Sequence, residues 1–207
     1  MWRSICGMKY RDNIEQVAHL TPDYMGFIFF EDSSRYMTNA IPDLPNSIVK
    51  VGVFVNASIT YIIEKINRHQ LGAVQLHGQE SPQFCEQLRS HTDVKIIKVF
   101  SILNAFDFSV LETYESVCDF YLFDTKGELP GGNGFTFDWS VLNDYPSQKL
   151  FFLSGGIGPN EINQLKEFKQ TKASTYCHAI DVNSRFEIEA GLKNYNELEK
   201  FKHELQH

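Results

Sequence analysis

Cysteine is scarce in this sequence, and its four copies are scattered. Cys6, Cys85, Cys118 and Cys177 lie far apart and share no C-x-x-C spacing. A disulfide framework and a zinc site are therefore both disfavoured. A reducing cytoplasm is the compartment that we expect for such a chain.

Long apolar runs and basic clusters are also missing. No run approaches the roughly 20 apolar residues of a membrane span, and the start "MWRSICGMKY" has no signal-peptide core. The net charge of −7, with Lys and Arg scattered, argues against nucleic acid and anionic membranes as partners. No Pro/Ser-rich linker or charge block divides the 207 residues. We expect one domain over residues 1–207.

What the sequence does contain is an alternation of strand-like and helix-like segments. Several of the apolar runs are apolar nearly throughout, which is typical of parallel strands buried on both faces. The strand-like runs number eight in all: "WRSIC", "YMGFIFF", "IVKVGVFV", "GAVQL", "VKIIKVF", "DFYLF", "KLFFL" and "CHAIDV". The pattern predicts an α/β fold, a single-domain (β/α)8 TIM barrel. A doubly wound open sheet is the alternative, but no G-x-G-x-x-G follows the first run.

Helix signals lie between most of these runs. Ser58 and Ser81 are at cap positions, and Asp12 with a glutamate three residues later is a capping-box pattern. Another helix is predicted to start at Pro159. The segments after "YMGFIFF" and "DFYLF" predict only short or irregular helices. The last helix is expected to carry an apolar stripe of Leu192, Tyr195, Leu198, Phe201 and Leu205.

Two strand ends carry reactive side chains, and in a barrel the carboxyl ends of the strands form the active site. Cys6 ends the first run, either as a small buried apolar residue or as a thiolate. Asp124 ends the sixth, either as a turn residue or as a general acid with a raised pKa. Asp138 in "TFDW" is a separate helix-cap candidate, so the next helix does not require Asp124.

Other residues at the predicted barrel mouth favour an anionic ligand. "SGGIG" (154–158) and "DVNS" (181–184) end runs seven and eight, where barrels often bind phosphate through backbone N–H groups. Arg35 is either an exposed arginine or a clamp for a carboxylate. The loop "GELPGGNG" lacks the Gly-Lys-Ser/Thr of a P-loop and is interpreted as a cover. His77 is a weaker candidate base.

Eight short segments follow one another along nearly the whole chain: "ICGM", "GFIFF…SSRY", "VGVFVN", "AVQLHG", "IIKVF", "FDTKGELPGGNGFTFDW", "LSGGI" and "AIDVNSRFE…GLKN". In this order they resemble the phosphoribosylanthranilate isomerase family, which consists of (β/α)8 enzymes of tryptophan biosynthesis. The resemblance implies an Amadori rearrangement of N-(5-phosphoribosyl)anthranilate to 1-(2-carboxyphenylamino)-1-deoxyribulose 5-phosphate. A phosphorylated small-molecule substrate, no cofactor or metal, and a monomer or homodimer are expected.

The resemblance also implies a role for each site residue. Asp124 would be the general acid and Cys6 the general base, and Arg35 would hold the anthranilate carboxylate. The remaining residues match phosphate-binding stretches, with Asp181 in an orienting or sugar-hydroxyl role: Gly155, Gly156, Asp181, Asn183 and Ser184.

Three positions depart from the family pattern. Ser4 stands where lysine is common, Asn183 where serine is common, and Arg185 where glycine is common.

Two other functions remain open. One alternative is a neighbouring phosphate-binding barrel enzyme that acts on a related indole or histidine-pathway intermediate. Such enzymes generally use acid–base pairs other than a cysteine and an aspartate. The other is a catalytically silent barrel that binds a phosphorylated ligand or a partner protein, although such a barrel would most naturally have lost Cys6 or Asp124.

Overall fold

The computed structural model describes residues 2–125 and 136–206. Eight parallel strands close into a barrel in chain order, with the first strand paired to the eighth. The strands are β1 Trp2–Ile5, β2 Tyr24–Ile28, β3 Val49–Phe54, β4 Ala73–Leu76, β5 Lys95–Ile102, β6 Phe120–Thr125, β7 Phe151–Leu153 and β8 Cys177–Val182. The (β/α)8 TIM barrel predicted from the eight runs is confirmed.

Helical segments cover the outside of the barrel. The α-helices are α1 Arg11–Ala18, α2 Ile59–His69, α3 Pro82–Arg89, α4 Ile162–Phe168 and α5 Tyr195–Gln206. Short 3-10 helices span Phe108–Tyr114, Trp139–Asp144, Pro159–Glu161, Ala173–Tyr176 and Ser184–Phe186. A small antiparallel hairpin, β9 Glu187–Glu189 with β10 Leu192–Lys193, lies between β8 and α5.

Helix starts follow the predicted caps in most cases. The side chains of Ser58 and Ser81 accept hydrogen bonds from the first turns of α2 and α3. Asp138 likewise accepts from the backbone N–H of Ser140 at 2.9 Å. The capping-box prediction at Asp12 is wrong: α1 starts one residue earlier, at Arg11, after Tyr10, whose side chain makes no cap bond.

Two further predictions need correction. Leu192 is not part of the last helix, because it pairs with Glu189 in the hairpin and α5 begins only at Tyr195. No helix forms among residues 29–48, all of which the structure describes. This segment consists of turns, with the N–H of Tyr36 donating to Ser33 and that of Met37 donating back to Ile28.

Strand alternation divides the side chains between two cores. Residues of one parity pack outward against the helices, and residues of the other parity fill the barrel. The interior layer consists of Val51, Ala73, Ile97, Val99, Leu122, Phe152 and Ala179, with Tyr24, Val49 and Phe120 against it. Continuing the same parity to the carboxyl ends of the strands places Cys6, Asp124, Ser154 and Asp181 above this layer.

An aromatic cluster closes the other end of the barrel. The ring of His178 stacks on Phe120 at 4.9 Å between centroids and lies 5.5 Å from Phe152. Tyr24 packs edge-on against Phe152, and its hydroxyl lies 2.8 Å from His178 Nε2. We call these four rings the barrel floor. They leave the polar residues at the opposite, carboxyl end.

Candidate active site

A cleft of about 720 Å³, measured out to solvent, opens at the carboxyl ends of the strands. The cleft brings together all eight predicted site residues and His77: Cys6, Arg35, His77, Asp124, Gly155, Gly156, Asp181, Asn183 and Ser184. The predicted cover loop at 127–134 lies outside the described residues.

Cys6 lies at the end of β1 with its thiol packed against β2. Its backbone N–H donates to Val182 at 2.9 Å, which fixes the turn out of the strand. A Cβ added to Gly26 would be 2.8 Å from Cys6 Sγ, so the thiol occupies space that only glycine leaves. Burial, and then the charge of Asp181, raise the pKa of the thiol well above its usual value, while Lys193 and Arg35 oppose them. The surroundings of Cys6 therefore favour the protonated thiol over the thiolate.

Asp124 lies near the end of β6 and is bonded through both carboxylate oxygens. Oδ1 accepts from the backbone N–H of Thr125 at 2.9 Å, and Oδ2 is 3.2 Å from His77 Nε2. Burial lowers the pKa of His77, but the hydrogen bond to Asp124 and the charge of Asp124 raise it by more, so the net shift is upward. The sequence interpretation of His77 as a weak candidate base missed this pairing with Asp124.

Asp181 is the second buried carboxylate of the cleft. It accepts hydrogen bonds from the hydroxyls of Ser4 at 2.5 Å and Ser154 at 3.2 Å. Burial raises the pKa of Asp181 to about 6, and the two serine hydroxyls oppose the rise. Ser4, the departure from the family pattern, therefore points inward and is a direct partner of this carboxylate.

Glycines after β7 provide backbone donors. Gly155 and Gly156 have φ values of +89° and +68°, a region that side chains disfavour. Among the described residues, neither of their backbone N–H groups has an acceptor. Asn183 and Ser184 face the same cleft from the end of β8. The arrangement fits an anion bound by main-chain N–H groups.

Arg35 reaches the cleft from the loop after β2 and is held by a carboxylate. Its Nε donates to Glu187 Oε1 at 2.9 Å and its Nη2 to Oε2 at 2.6 Å. Lys193 Nζ donates to Glu187 Oε1 at 2.7 Å and to Asn183 Oδ1 at 2.7 Å. Sequence reasoning did not single out Glu187 or Lys193. The only signal was their place in the segment "DVNSRFE…GLKN", which carried part of the resemblance.

Part of the remaining wall of the cleft is apolar. It is built from side chains of β2, β3 and the β7 loop: Ile28, Phe30, Val53, Val55 and Ile157. An apolar wall near a guanidinium suits a flat ligand with a carboxylate at its edge. The cleft thus combines titratable side chains, a guanidinium, backbone N–H donors and an apolar surface.

Comparison with known proteins identifies the family. The family model for N-(5'phosphoribosyl)anthranilate (PRA) isomerase matches residues 3–204. The chain is similar to the N-(5'-phosphoribosyl)anthranilate isomerase of Parabacteroides distasonis, with 40% identity, covering 98% of this chain and 92% of the relative. That of Phocaeicola vulgatus is 38% identical, with 98% and 96% covered.

Solved structures agree with these sequence relatives. A phosphoribosyl anthranilate isomerase in complex with reduced 1-(o-carboxyphenylamino)-1-deoxyribulose 5-phosphate superposes with a TM-score of 0.77. It is 26% identical, and the match covers 100% of this chain and 99% of that one. In the described ranges, no helix is both long and apolar enough to cross a membrane. The chain belongs to the N-(5'-phosphoribosyl)anthranilate isomerase family and is an isomerase.

Proposed function

We propose that this chain catalyses the Amadori rearrangement of N-(5-phosphoribosyl)anthranilate to 1-(2-carboxyphenylamino)-1-deoxyribulose 5-phosphate in tryptophan biosynthesis. The observation that carries the proposal is the position of Cys6 and Asp124 in one cleft, with Arg35 and the glycines after β7 beside them. Acid, base and two anion-binding groups are what this reaction requires of a protein. Its family relatives bear the name of the same activity.

The first step opens the sugar ring. Asp124 delivers a proton to the ribose ring oxygen, the bond from that oxygen to C1 breaks, and the anthranilate nitrogen lone pair forms a C=N bond to C1. His77 Nε2, 3.2 Å from Asp124 Oδ2, is the neighbour from which the carboxylate would regain its proton. General acid catalysis of this kind typically contributes a factor of about 10²–10⁴.

The second step moves a proton from carbon. Cys6 removes the proton from C2 of the sugar, the electron pair of the C–H bond forms the C1=C2 bond, and the π pair of the C=N bond returns to the anthranilate nitrogen to give an enolamine. Proton transfer from the C2 hydroxyl and to C1 then gives the ketone. The base must be the thiolate. The turnover rate should therefore rise with pH above 7 as more of the thiol ionises.

Binding groups fix the two ends of the substrate. The N–H groups of Gly155 and Gly156, with Asn183 and Ser184, would hold the phosphate, and Arg35 would hold the anthranilate carboxylate. Because the carboxylate of Asp181 would repel a phosphate, Asp181 would instead orient neighbouring groups or a sugar hydroxyl. We infer a cytoplasmic enzyme without a metal or other cofactor, active as a monomer or a homodimer.

Turnover of purified protein tests this function. We expect the fluorescence of phosphoribosylanthranilate to be quenched at a catalytic rate without added metal. C6A and D124N should each reduce kcat at least about 100-fold, because each removes a proton-transfer group. Matched controls are C177A and D138N, since Cys177 begins β8 far from the cleft and Asp138 caps a surface helix.

The controls should retain turnover within about twofold of the wild-type protein. No turnover by the wild-type chain between pH 6 and 9 would rule out the proposed reaction. Near-normal activity of C6A or D124N would leave the reaction standing but reject that residue as the base or the acid.

A further inference from the structure

Glu187 connects the hairpin to the arginine of the cleft through an unusual number of hydrogen bonds. Its carboxylate accepts from Arg35 Nε and Nη2, from Lys193 Nζ and from the backbone N–H of Gly191 at 3.0 Å. Only 5% of the Glu187 side chain is exposed, and none of the Lys193 side chain is. A carboxylate with four donors fixes the position of each of them.

The bonds to Glu187 occupy one edge of the Arg35 guanidinium. The Nε–Nη2 edge faces the carboxylate, and among the described residues no acceptor is paired with Nη1. Arg35 lines the cleft, and 17% of its side chain is exposed. The edge that remains for a ligand is therefore the one formed by Nη1 and the second hydrogen of Nη2.

Lys193 gives the group of Arg35, Glu187 and Lys193 a net positive charge. Arg35 and Glu187 alone would be neutral together, and a neutral pair attracts a ligand carboxylate weakly. The buried ammonium of Lys193, which shares Glu187 Oε1 with Arg35 Nε, restores one positive charge to the group. Burial lowers the pKa of Lys193 to about 8 against the opposing effect of Glu187, so the amine is mostly protonated at pH 7.

We propose that Glu187 and Lys193 are positioning residues: Glu187 presents the Nη1–Nη2 edge of Arg35 to a carboxylate on the ligand, and Lys193 keeps the net charge of the Arg35–Glu187–Lys193 group positive. They act through Arg35 and do not touch the reacting atoms. The inference rests on the proposed function, in which Arg35 holds the anthranilate carboxylate. It identifies the device that selects an aromatic ligand carrying a carboxylate over one without it.

The barrel contains a matched control for this device. At the opposite end, Asp119 also lies between an arginine and a lysine: Arg89 Nη2 donates to it at 2.8 Å and Lys95 Nζ at 3.1 Å. It also accepts from the backbone N–H of Ile96 at 2.9 Å. D119N therefore disrupts an ion group of the same composition without touching the cleft.

The experiment compares the binding of two ligands to the full chain. One is reduced 1-(o-carboxyphenylamino)-1-deoxyribulose 5-phosphate, and the other is its phenylamino counterpart without the carboxyl group. Calorimetry gives the ratio of their Kd values for the wild type, R35A, E187Q and D119N. Glutamine keeps the shape of Glu187 but presents an N–H₂ group to donors, so the Arg35 fork loses its anchor.

We expect the wild type to favour the carboxylated ligand at least about tenfold. R35A and E187Q should each reduce this ratio at least about fivefold, with little change in Kd for the ligand that lacks the carboxyl group. D119N should leave the ratio unchanged within about twofold while lowering stability. A purely structural role of Glu187 would instead weaken both ligands equally.

The variants distinguish failure of the positioning role of Glu187 from failure of the Arg35 clamp. If R35A loses the preference and E187Q equals or exceeds the wild-type ratio, the positioning role is wrong and the Arg35 clamp stands. If R35A keeps the preference, the clamp itself is wrong, and the positioning role falls with it. Where E187Q does not fold, E187D replaces it: the charge stays beside Lys193, the shorter side chain withdraws from Arg35, and the same loss of preference is expected.

Discussion

Asp181 shows how a single residue can reverse the usual relation between pH and stability. Most carboxylates in folded proteins have partners that lower their pKa, so acid destabilises the fold. Asp181 is buried between two neutral hydroxyls and near Asp124, and its pKa rises to about 6 from a usual value of 3.8. The folded state therefore binds this proton more tightly than the unfolded chain does.

The first prediction concerns the pH dependence of unfolding. Between pH 4 and 6 the folded state keeps a proton that the unfolded chain has lost, so the contribution of Asp181 to the free energy of unfolding falls as pH rises. Over the whole transition the fall should be of the order of 3 kcal/mol, at 1.36 kcal/mol per pKa unit, and about 2 kcal/mol of it lies between pH 4.5 and 7.5. Urea titrations of the wild type and D181N at pH 4.5 and 7.5 measure it as a difference between the two proteins.

We expect the wild type to lose stability relative to D181N as the pH is raised. A difference that is constant between the two pH values would mean that Asp181 does not hold its proton in the fold. Because both proteins share every other titrating group, the comparison isolates this carboxylate.

At the scale of elements, the turn after β7 is pressed against the end of β6. A Cβ added to Gly155 would lie 2.9 Å from Asp124 Oδ1 and even closer to Thr125, and the backbone of Gly155 is in the left-handed region. This glycine was predicted only as a donor for phosphate. The structure shows that it also allows two strand ends to meet at Asp124.

The second prediction is that G155A is costly in both stability and rate. Left-handed backbone costs a side-chain-bearing residue about 1–2 kcal/mol, and the added methyl would displace Asp124. We expect a stability loss of about 2 kcal/mol in urea denaturation and a fall in kcat of at least about tenfold. G72A is the control, since Gly72 is exposed and has only the Val49 side chain nearby.

G72A should change kcat less than about twofold. If G155A turned over substrate like the wild type, the close packing of the β7 turn on Asp124 would have no catalytic importance.

What the sequence could predict depended on whether the signal was local. Ser58 and Ser81 cap their helices as predicted because a cap needs only the next few residues. The eight strands followed from buried apolar runs in the same way. Leu192 was assigned to the last helix because its spacing fits a helical stripe, but pairing with Glu189 draws it into the hairpin.

The site could be predicted only in part, for the same reason. Cys6 and Asp124 stand out because each follows an apolar run, and the barrel rule brings strand ends together. Glu187 does not stand out, since its partner Arg35 is 152 positions away and the contact exists only in the closed barrel. The pairing of His77 with Asp124 is likewise a product of tertiary structure.

At the scale of the whole molecule, the two ends of the chain are joined beyond the pairing of β1 with β8. Asn13 in α1 is buried, and its amide bonds both backbone groups of Lys193. Nδ2 donates to the Lys193 carbonyl at 2.9 Å, and Oδ1 accepts from its N–H at 2.7 Å. The first helix thereby holds the hairpin that carries Glu187.

The third prediction concerns this link. N13A leaves a buried N–H and a buried carbonyl without partners, which should cost about 2–4 kcal/mol. A single domain over residues 1–207, as we propose, should still unfold in one cooperative transition, so fluorescence and circular dichroism should give the same urea midpoint. A cost below about 0.5 kcal/mol, or two separate transitions, would contradict the prediction.

The barrel floor has a consequence for traffic through the enzyme. Because Tyr24, Phe120, Phe152 and His178 fill the end opposite the cleft, the described part of the barrel is a blind well and not a channel. A ligand that enters at the carboxyl ends of the strands must leave by the same opening. Substrate and product therefore use the same opening, and the next substrate can bind only after the product has left.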